Sequence, residues 1–265
     1  MNTPSTGAPL LRVQAVTVRF GGIVALDAVS FSVEAGQICG LIGPNGAGKS
    51  TVFNCLSRIY DCGAGSIEFD GRRISTLPRH RMAGEGIGRT FQNLALFGSM
   101  SVRENLLVGC HGRQPAGFVG ALLRLPGERR TEREAQARAD ELLRFLALED
   151  CAERIVADLP FGTQKRVELG RALCGRPRLL LLDEPACGLN HEELEGLAAL
   201  IREIRDRLGV TVLLVEHHMG LVMAISDQVV VLNFGRKIAE GTPTAVRQHP
   251  EVIQAYLGGA HADAA

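Results

Sequence analysis

Two features of the sequence predict an α/β fold with a mostly parallel sheet. Short, continuously apolar runs alternate with amphipathic helical patterns, and a glycine-rich turn stands between one such run and a helix. The runs are Ile38–Ile42, Leu179–Leu182, Val210–Val215 and Val229–Leu232. Unbroken apolarity is expected of strands covered on both faces. Between the second and third runs, Leu194, Leu197, Ile201, Ile204 and Leu208 fall on one helical face. The segment Leu11–Val33 alternates weakly and is expected to supply an N-terminal antiparallel β part. From about Thr90 to Gly175 no buried-strand run occurs, which predicts a mainly helical insertion in the core. Within it, Thr131 and Glu134 form a capping-box start for a helix carrying Ala135, Ala139, Leu142 and Leu146. Gly109–Gly127, rich in Gly and Pro, reads as a loop or broken helix.

The chain has 265 residues, enough for one large α/β domain or a core with a small subdomain. Its formal net charge of +0 argues against nucleic acid as a partner, since such binders carry a net basic surface. No apolar run reaches the roughly 18 residues of a spanning helix, and Met1–Pro9 lacks the basic start and apolar stretch of a signal peptide. A cytosolic protein is expected. The 7 cysteines show no C-x-x-C pair, so neither a zinc site nor a redox motif is predicted.

Gly43-Pro44-Asn45-Gly46-Ala47-Gly48-Lys49-Ser50 fits G-x-x-x-x-G-K-[ST] directly after a strand and before a helix. By chance the pattern arises in about one chain of this length in a hundred. The strand–loop–helix setting therefore decides the reading. Glycines let the backbone wrap closely and point N–H groups at phosphate oxygens. The helix after the loop, which begins around Lys49, Ser50 and Thr51, presents its positive end. Lys49 is assigned to the β and γ phosphates and the Ser50 hydroxyl to Mg²⁺.

Leu179–Leu182 delivers Asp183 and Glu184 at the C-terminal edge of its strand, where open α/β sheets bind ligands. Asp183 is the expected Mg²⁺ carboxylate and Glu184 the expected general base. His217 follows the run Val210–Val215 and is expected to contact the γ-phosphate and orient water. His218 reads as a surface neighbour.

These pieces, in this order, resemble the ATP-binding subunits of ABC transporters, from about Leu10 to Leu257. The resemblance implies a P-loop ABC ATPase core over about 10–89 and 176–257. It adds a helical subdomain over about 90–175 and flexible tails at 1–9 and 258–265. It makes Phe20 the aromatic that stacks on adenine, although a loop or core Phe is a rival reading. Gln92, in Thr90-Phe91-Gln92-Asn93, resembles the glutamine that touches Mg²⁺ where the membrane subunit docks. Pro160, Phe161, Gly162, Thr163 and Gln164 occupy the place of the family signature, which acts on ATP across a head-to-tail dimer. A helix is expected to begin near Thr163. Pro160 departs from the usual Ser and offers neither hydroxyl nor N–H, so a changed γ-phosphate contact is expected. Ala186–Asn190 resembles the D-loop.

Arg89–Gln92, Phe97, Ser101–Leu106, Glu216–Met219 and the tail from Gly241 to Gly258 look like importers of branched-chain amino acids and related solutes. The loop-rich stretch Gly109–Gly127 is similar to the longer of the two ATPase subunits of such importers. That resemblance implies ATP and Mg²⁺ as cofactors. It also implies a second ATPase subunit, two transmembrane permease subunits and, indirectly, a solute-binding protein. The place implied is the inner face of the cell membrane. An ATPase of a lipid or lipopolysaccharide exporter, and a soluble ABC ATPase uncoupled from transport, are the alternatives.

Overall fold

A computed structural model describes residues 8–91, 94–111 and 126–259. Gln92, and the tail residues 1–7 and 260–265, lie outside the described residues. The strands are Leu11–Phe20 (β1), Ile23–Val33 (β2), Ile38–Ile42 (β3), Ala64–Phe69 (β4), Arg72–Arg73 (β5), Ile87–Arg89 (β6), Leu179–Asp183 (β7), Thr211–Val215 (β8), Gln228–Asn233 (β9) and Arg236–Gly241 (β10). The helices are Lys49–Leu56 (α1), Met82–Glu85 (α2), Val102–His111 (α3), Pro126–Phe145 (α4), Phe161–Cys174 (α5), His191–Leu208 (α6), Met219–Ile225 (α7), Pro243–Arg247 (α8) and Pro250–Gly259 (α9).

Among the described residues the strands form two sheets. One is antiparallel, in the order β2-β1-β4-β5. The other runs β10-β9-β3-β8-β7-β6 and is parallel except for β10 at its edge. The period-two alternation of strand side chains divides the second sheet between two cores. Ile38, Leu180, Val212 and Val229 face the helices, whereas Cys39, Leu181, Leu213 and Val230 face α1 and the antiparallel sheet. That burial on both faces is why these strands read as unbroken apolar runs. Ile201 and Ile204 of α6 are buried as the helical pattern predicts, with Leu194, Leu197 and Leu208 partly covered.

Between Thr90 and Gly175 the described residues hold α3, α4 and α5 and no strand, only an isolated bridge of Ser101 with Ile155. Three local expectations are corrected here. α4 begins at Pro126, not at Thr131, so the capping-box residues lie inside the helix; Pro suits a first helical turn. α3 continues through Gly109 and Cys110 to His111, so the expected loop covers at most residues 112–125, which lie outside the described residues. Gly109 is a packing residue, because a Cβ there would lie 2.2 Å from the Arg171 carbonyl oxygen of α5. α9 runs to Gly259, past the expected end of the folded part.

Candidate nucleotide site

The phosphate loop leaves β3 at Ile42 and enters α1 at Lys49. Gly43 has φ 152 and Gly48 has φ 101. A Cβ on Gly43 would lie 2.1 Å from the Leu232 carbonyl oxygen, so the loop is threaded where only glycine passes. α1 has no side-chain cap at its N-terminus, so its first N–H groups are left to another acceptor. Lys49 is buried, and its Nζ donates to the carbonyls of Gly43 at 2.7 Å and Pro44 at 2.9 Å. Burial pushes its pKa down, and the negative charge of Glu184 pulls the other way. A buried ammonium resting on two neutral carbonyls, above an uncapped helix end, fits a polyphosphate. Pro44 is half-buried, and Asn45, Gly46 and Ser50 face solvent.

Sheet register brings the other ends alongside. β3, β8 and β7 are consecutive neighbours, with Leu41 opposite Val215 and Val215 opposite Asp183. The phosphate loop, the His217 turn and the Asp183-Glu184 turn therefore leave the sheet at one edge. Asp183 is buried, and its Oδ2 accepts from Arg89 Nη2 at 2.8 Å. Glu184 has φ 48, a left-handed conformation that costs a non-glycine residue about 1 kcal/mol. Its N–H donates to the Val215 carbonyl at 2.9 Å, which ties the strained turn to β8. The Oε1 of Glu184 lies 2.9 Å from Nε2 of His217.

Glu216 enters the sequence reading only as part of the importer resemblance, with no role assigned. Its buried carboxylate accepts the N–H of Ala186 at 2.6 Å and those of His217 and His218 at 3.0 and 3.2 Å. It clasps the Glu184 turn to the His217 turn. Exposed His218 is the N-cap of α7.

Phe20 is exposed at the β1–β2 hairpin, where its ring meets Tyr60 edge to face with centroids 5.0 Å apart. The signature helix starts at Phe161, not near Thr163, because Pro160 at φ −55, ψ 147 serves as its N-cap. The Pro160 carbonyl accepts the N–H groups of Thr163 at 2.9 Å and Gln164 at 3.0 Å. The Gln164 amide donates back to the Leu159 carbonyl at 2.8 Å. Phe161 is exposed over Gly188, where a Cβ would lie 2.8 Å from its ring, and a Cβ on Gly162 would lie 2.6 Å from the Glu193 carboxylate. Pro160, Gly162 and Thr163 line a cleft of about 390 Å³ together with Thr90, Asp183 and Leu189. Glu168 of the same helix is buried, its pKa raised by burial, and its Oε1 accepts the N–H of Phe91 at 3.0 Å. Asn190 and Glu193 cap α6 reciprocally.

The ABC transporter family matches residues 26–187, and the branched-chain amino acid ATP-binding cassette transporter family matches residues 236–262. The chain is 48% identical over 252 residues to the high-affinity branched-chain amino acid transport ATP-binding protein BraF of Pseudomonas aeruginosa, covering 95% of this chain and 99% of the relative. It is 44% identical, with the same coverage, to the corresponding LivG protein of Escherichia coli. A solved ABC transporter cassette in its ADP conformation is 32% identical with a TM-score of 0.83, covering 95% of this chain and 100% of that one. A nucleotide-free cassette is 31% identical with a TM-score of 0.82, covering 94% and 99%. By fold, by site geometry and by both sequence matches, the chain belongs to the ABC transporter family, as one of its ATP-binding cassettes.

Proposed function

We propose that the chain is the ATP-hydrolysing subunit of an importer for branched-chain amino acids or related small solutes, working through separate membrane subunits. The observation that carries this reading is the contact of Glu184 with His217 at the sheet edge that also holds Lys49 and Asp183. The relatives' transport of branched-chain amino acids supports the solute class. We read residues 10–257 as one ATPase domain, with its core over about 10–89 and 176–257 and its helical part over about 90–175.

In this reading Gly43 to Thr51 cradle the phosphates with backbone N–H groups, and Lys49 leaves its carbonyl acceptors for phosphate oxygens. Phe20 stacks on adenine. Ser50, Asp183 and Gln92 would hold Mg²⁺, which would neutralise phosphate charge when bound. Glu184 accepts the proton of the attacking water, and His217 keeps its carboxylate aimed and orients the nucleophile. Pro160 to Gln164 serve a second cassette in a head-to-tail pair, of identical chains or of a mixed pair that the importer reading favours. Two permease subunits dock near Gln92 at the inner membrane face, and the solute-binding protein acts through them. No described helix is long and apolar enough to cross a membrane.

The test compares ATP hydrolysis by the purified chain and by Glu184→Gln, with size exclusion in Mg-ATP. Turnover by the parent, and none by a variant that dimerises with trapped ATP, supports the reading. A parent that binds no ATP overturns it.

A further inference from the structure

Arg89 ends the edge strand β6, whose register places it opposite Leu181, two residues before Asp183. Its guanidinium reaches in two directions. Nη2 donates to Asp183 Oδ2 at 2.8 Å. Nη1 donates to three groups at the far end of α1: Ser57 Oγ at 2.9 Å, Asn54 Oδ1 at 3.0 Å and the Phe53 carbonyl at 3.3 Å. Both partners of the ion pair are close to fully buried, with side-chain exposures of 11% and 8%. The guanidinium also lies against two rings, 5.7 Å from the Phe53 centroid and 5.1 Å from that of Phe91. Thr90, the next residue, hydrogen-bonds β7 twice. Its N–H donates to the Leu181 carbonyl at 3.0 Å, and its Oγ1 accepts the Asp183 N–H at 3.3 Å.

One rigid group thus joins the carboxylate at the end of β7 to the helix that begins with Lys49 and Ser50. A planar fork with several fixed donors can hold two partners at a set angle, which a lysine ammonium cannot. The pair also uses one carboxylate oxygen of Asp183 and fixes the direction of the other. Outer partners of this kind set the affinity of a metal-holding carboxylate.

We propose that Arg89 is a positioning residue of the nucleotide site, setting the Asp183 carboxylate relative to α1 so that Mg²⁺ and ATP bind together. The proposal rests on the reading of Asp183 as the metal carboxylate. It assigns Arg89 a role through Asp183, without contact to nucleotide. Through the Phe91 ring, Arg89 also ties that residue to the phosphate-loop helix.

The experiment measures ATP affinity with and without Mg²⁺ in the Glu184→Gln background, where hydrolysis does not interfere. Arg89→Lys keeps the charge and removes the fork. It is expected to raise the Mg²⁺ concentration for half-maximal tight binding by about tenfold, with Mg²⁺-free ATP affinity within about twofold. Asn54→Ala with Ser57→Ala, which removes the two shorter of the fork's three bonds to the end of α1 and spares the ion pair, is expected to shift it in the same direction. A folded Arg89→Lys protein, judged by an unchanged melting curve, with unchanged Mg²⁺ dependence overturns the proposal. So does an equal loss of affinity with and without Mg²⁺, which marks a purely structural role. If Arg89→Lys does not fold, the Asn54/Ser57 pair decides alone by the same criterion. Asp183→Asn is the control. If it leaves the Mg²⁺ dependence unchanged, the metal-carboxylate reading fails, and the role of Arg89 fails with it. If it shifts the dependence and Arg89→Lys does not, only the Arg89 proposal fails.

Discussion

The rings of Phe20 and Tyr60 meet edge to face, with centroids 5.0 Å apart and planes at 71°. Phe20 is 44% exposed and Tyr60 is anchored by its N–H to the Asn54 carbonyl of α1 at 3.1 Å. Tyr60 therefore holds the ring that we assign to adenine. Such a pair contributes about 0.5–1.5 kcal/mol. Tyr60→Leu is expected to weaken ATP binding by about threefold to tenfold and to leave tripolyphosphate binding unchanged, with Tyr60→Phe restoring it. Equal loss for both ligands would remove Phe20 from the base site.

Glu184 and His217 share one hydrogen bond, and their effects should overlap. Glu184→Gln is expected to lower hydrolysis by at least about 100-fold while ATP binding persists. His217→Ala should lower it comparably, and the double variant should be little worse than either single one. Multiplying losses in steady-state assays would show that the two act independently.

Pro160 caps α5 with its carbonyl alone and has no side chain that accepts a hydrogen bond. Pro160→Ser supplies a capping hydroxyl worth about 0.5–1 kcal/mol to the helix. In the assembled transporter it should also change ATP affinity or turnover, through an added donor facing the γ-phosphate. Unchanged values of both would show that the signature works through its helix end alone.

Gly109 lets α3 close on α5 through the Arg171 carbonyl, where an added Cβ would lie 2.2 Å away. Gly109→Ala is expected to destabilise the fold by about 2–3 kcal/mol, lowering the melting temperature by about 4–10 °C. A melting curve within a degree of the parent would contradict the packing role.

The Cys62 thiol is lowered to about 7, first by its contact with the Cys55 thiol and then by Arg58. The same contact, and then burial, raise Cys55. A lowered thiol pKa favours thiolate, so iodoacetamide should modify Cys62 with a rate that climbs over about pH 6–8 and then levels. Cys55→Ala should return the midpoint toward the ordinary thiol range. A parent profile still rising above pH 9 would refute the perturbation.

Much of the site was legible because its chemistry is carried by local strings. Gly43–Ser50 needs only its own backbone path, and Asp183-Glu184 announces itself by ending an apolar run. The signature helix begins two residues earlier than expected: Pro160, which suits a helix start, is its N-cap, and Gly162 lies inside the first turn. Gly109 was read as a loop residue because glycine marks loops and close helix contacts alike. Of Arg89, Tyr60, Glu168 and Glu216, only the first and last enter the sequence reading, as parts of the family resemblance and without a role of their own. Each acts through a partner distant along the chain: Asp183, Phe20, the Phe91 N–H and the Ala186 N–H.

By itself the sequence determined the α/β class, the doubly covered sheet, the phosphate loop and the two carboxylates. Periodicity and short motifs depend on neighbours a few residues apart. The tertiary structure alone decided how these pieces are aligned. Parallel pairing of β3, β8 and β7 sets Leu41, Val215 and Asp183 side by side. The buried fork of Arg89 and the carboxylate of Glu216 then hold the turns that leave that edge. Such polar contacts form because burial leaves donors and acceptors no water to bond, and which groups are buried together is a property of the folded chain.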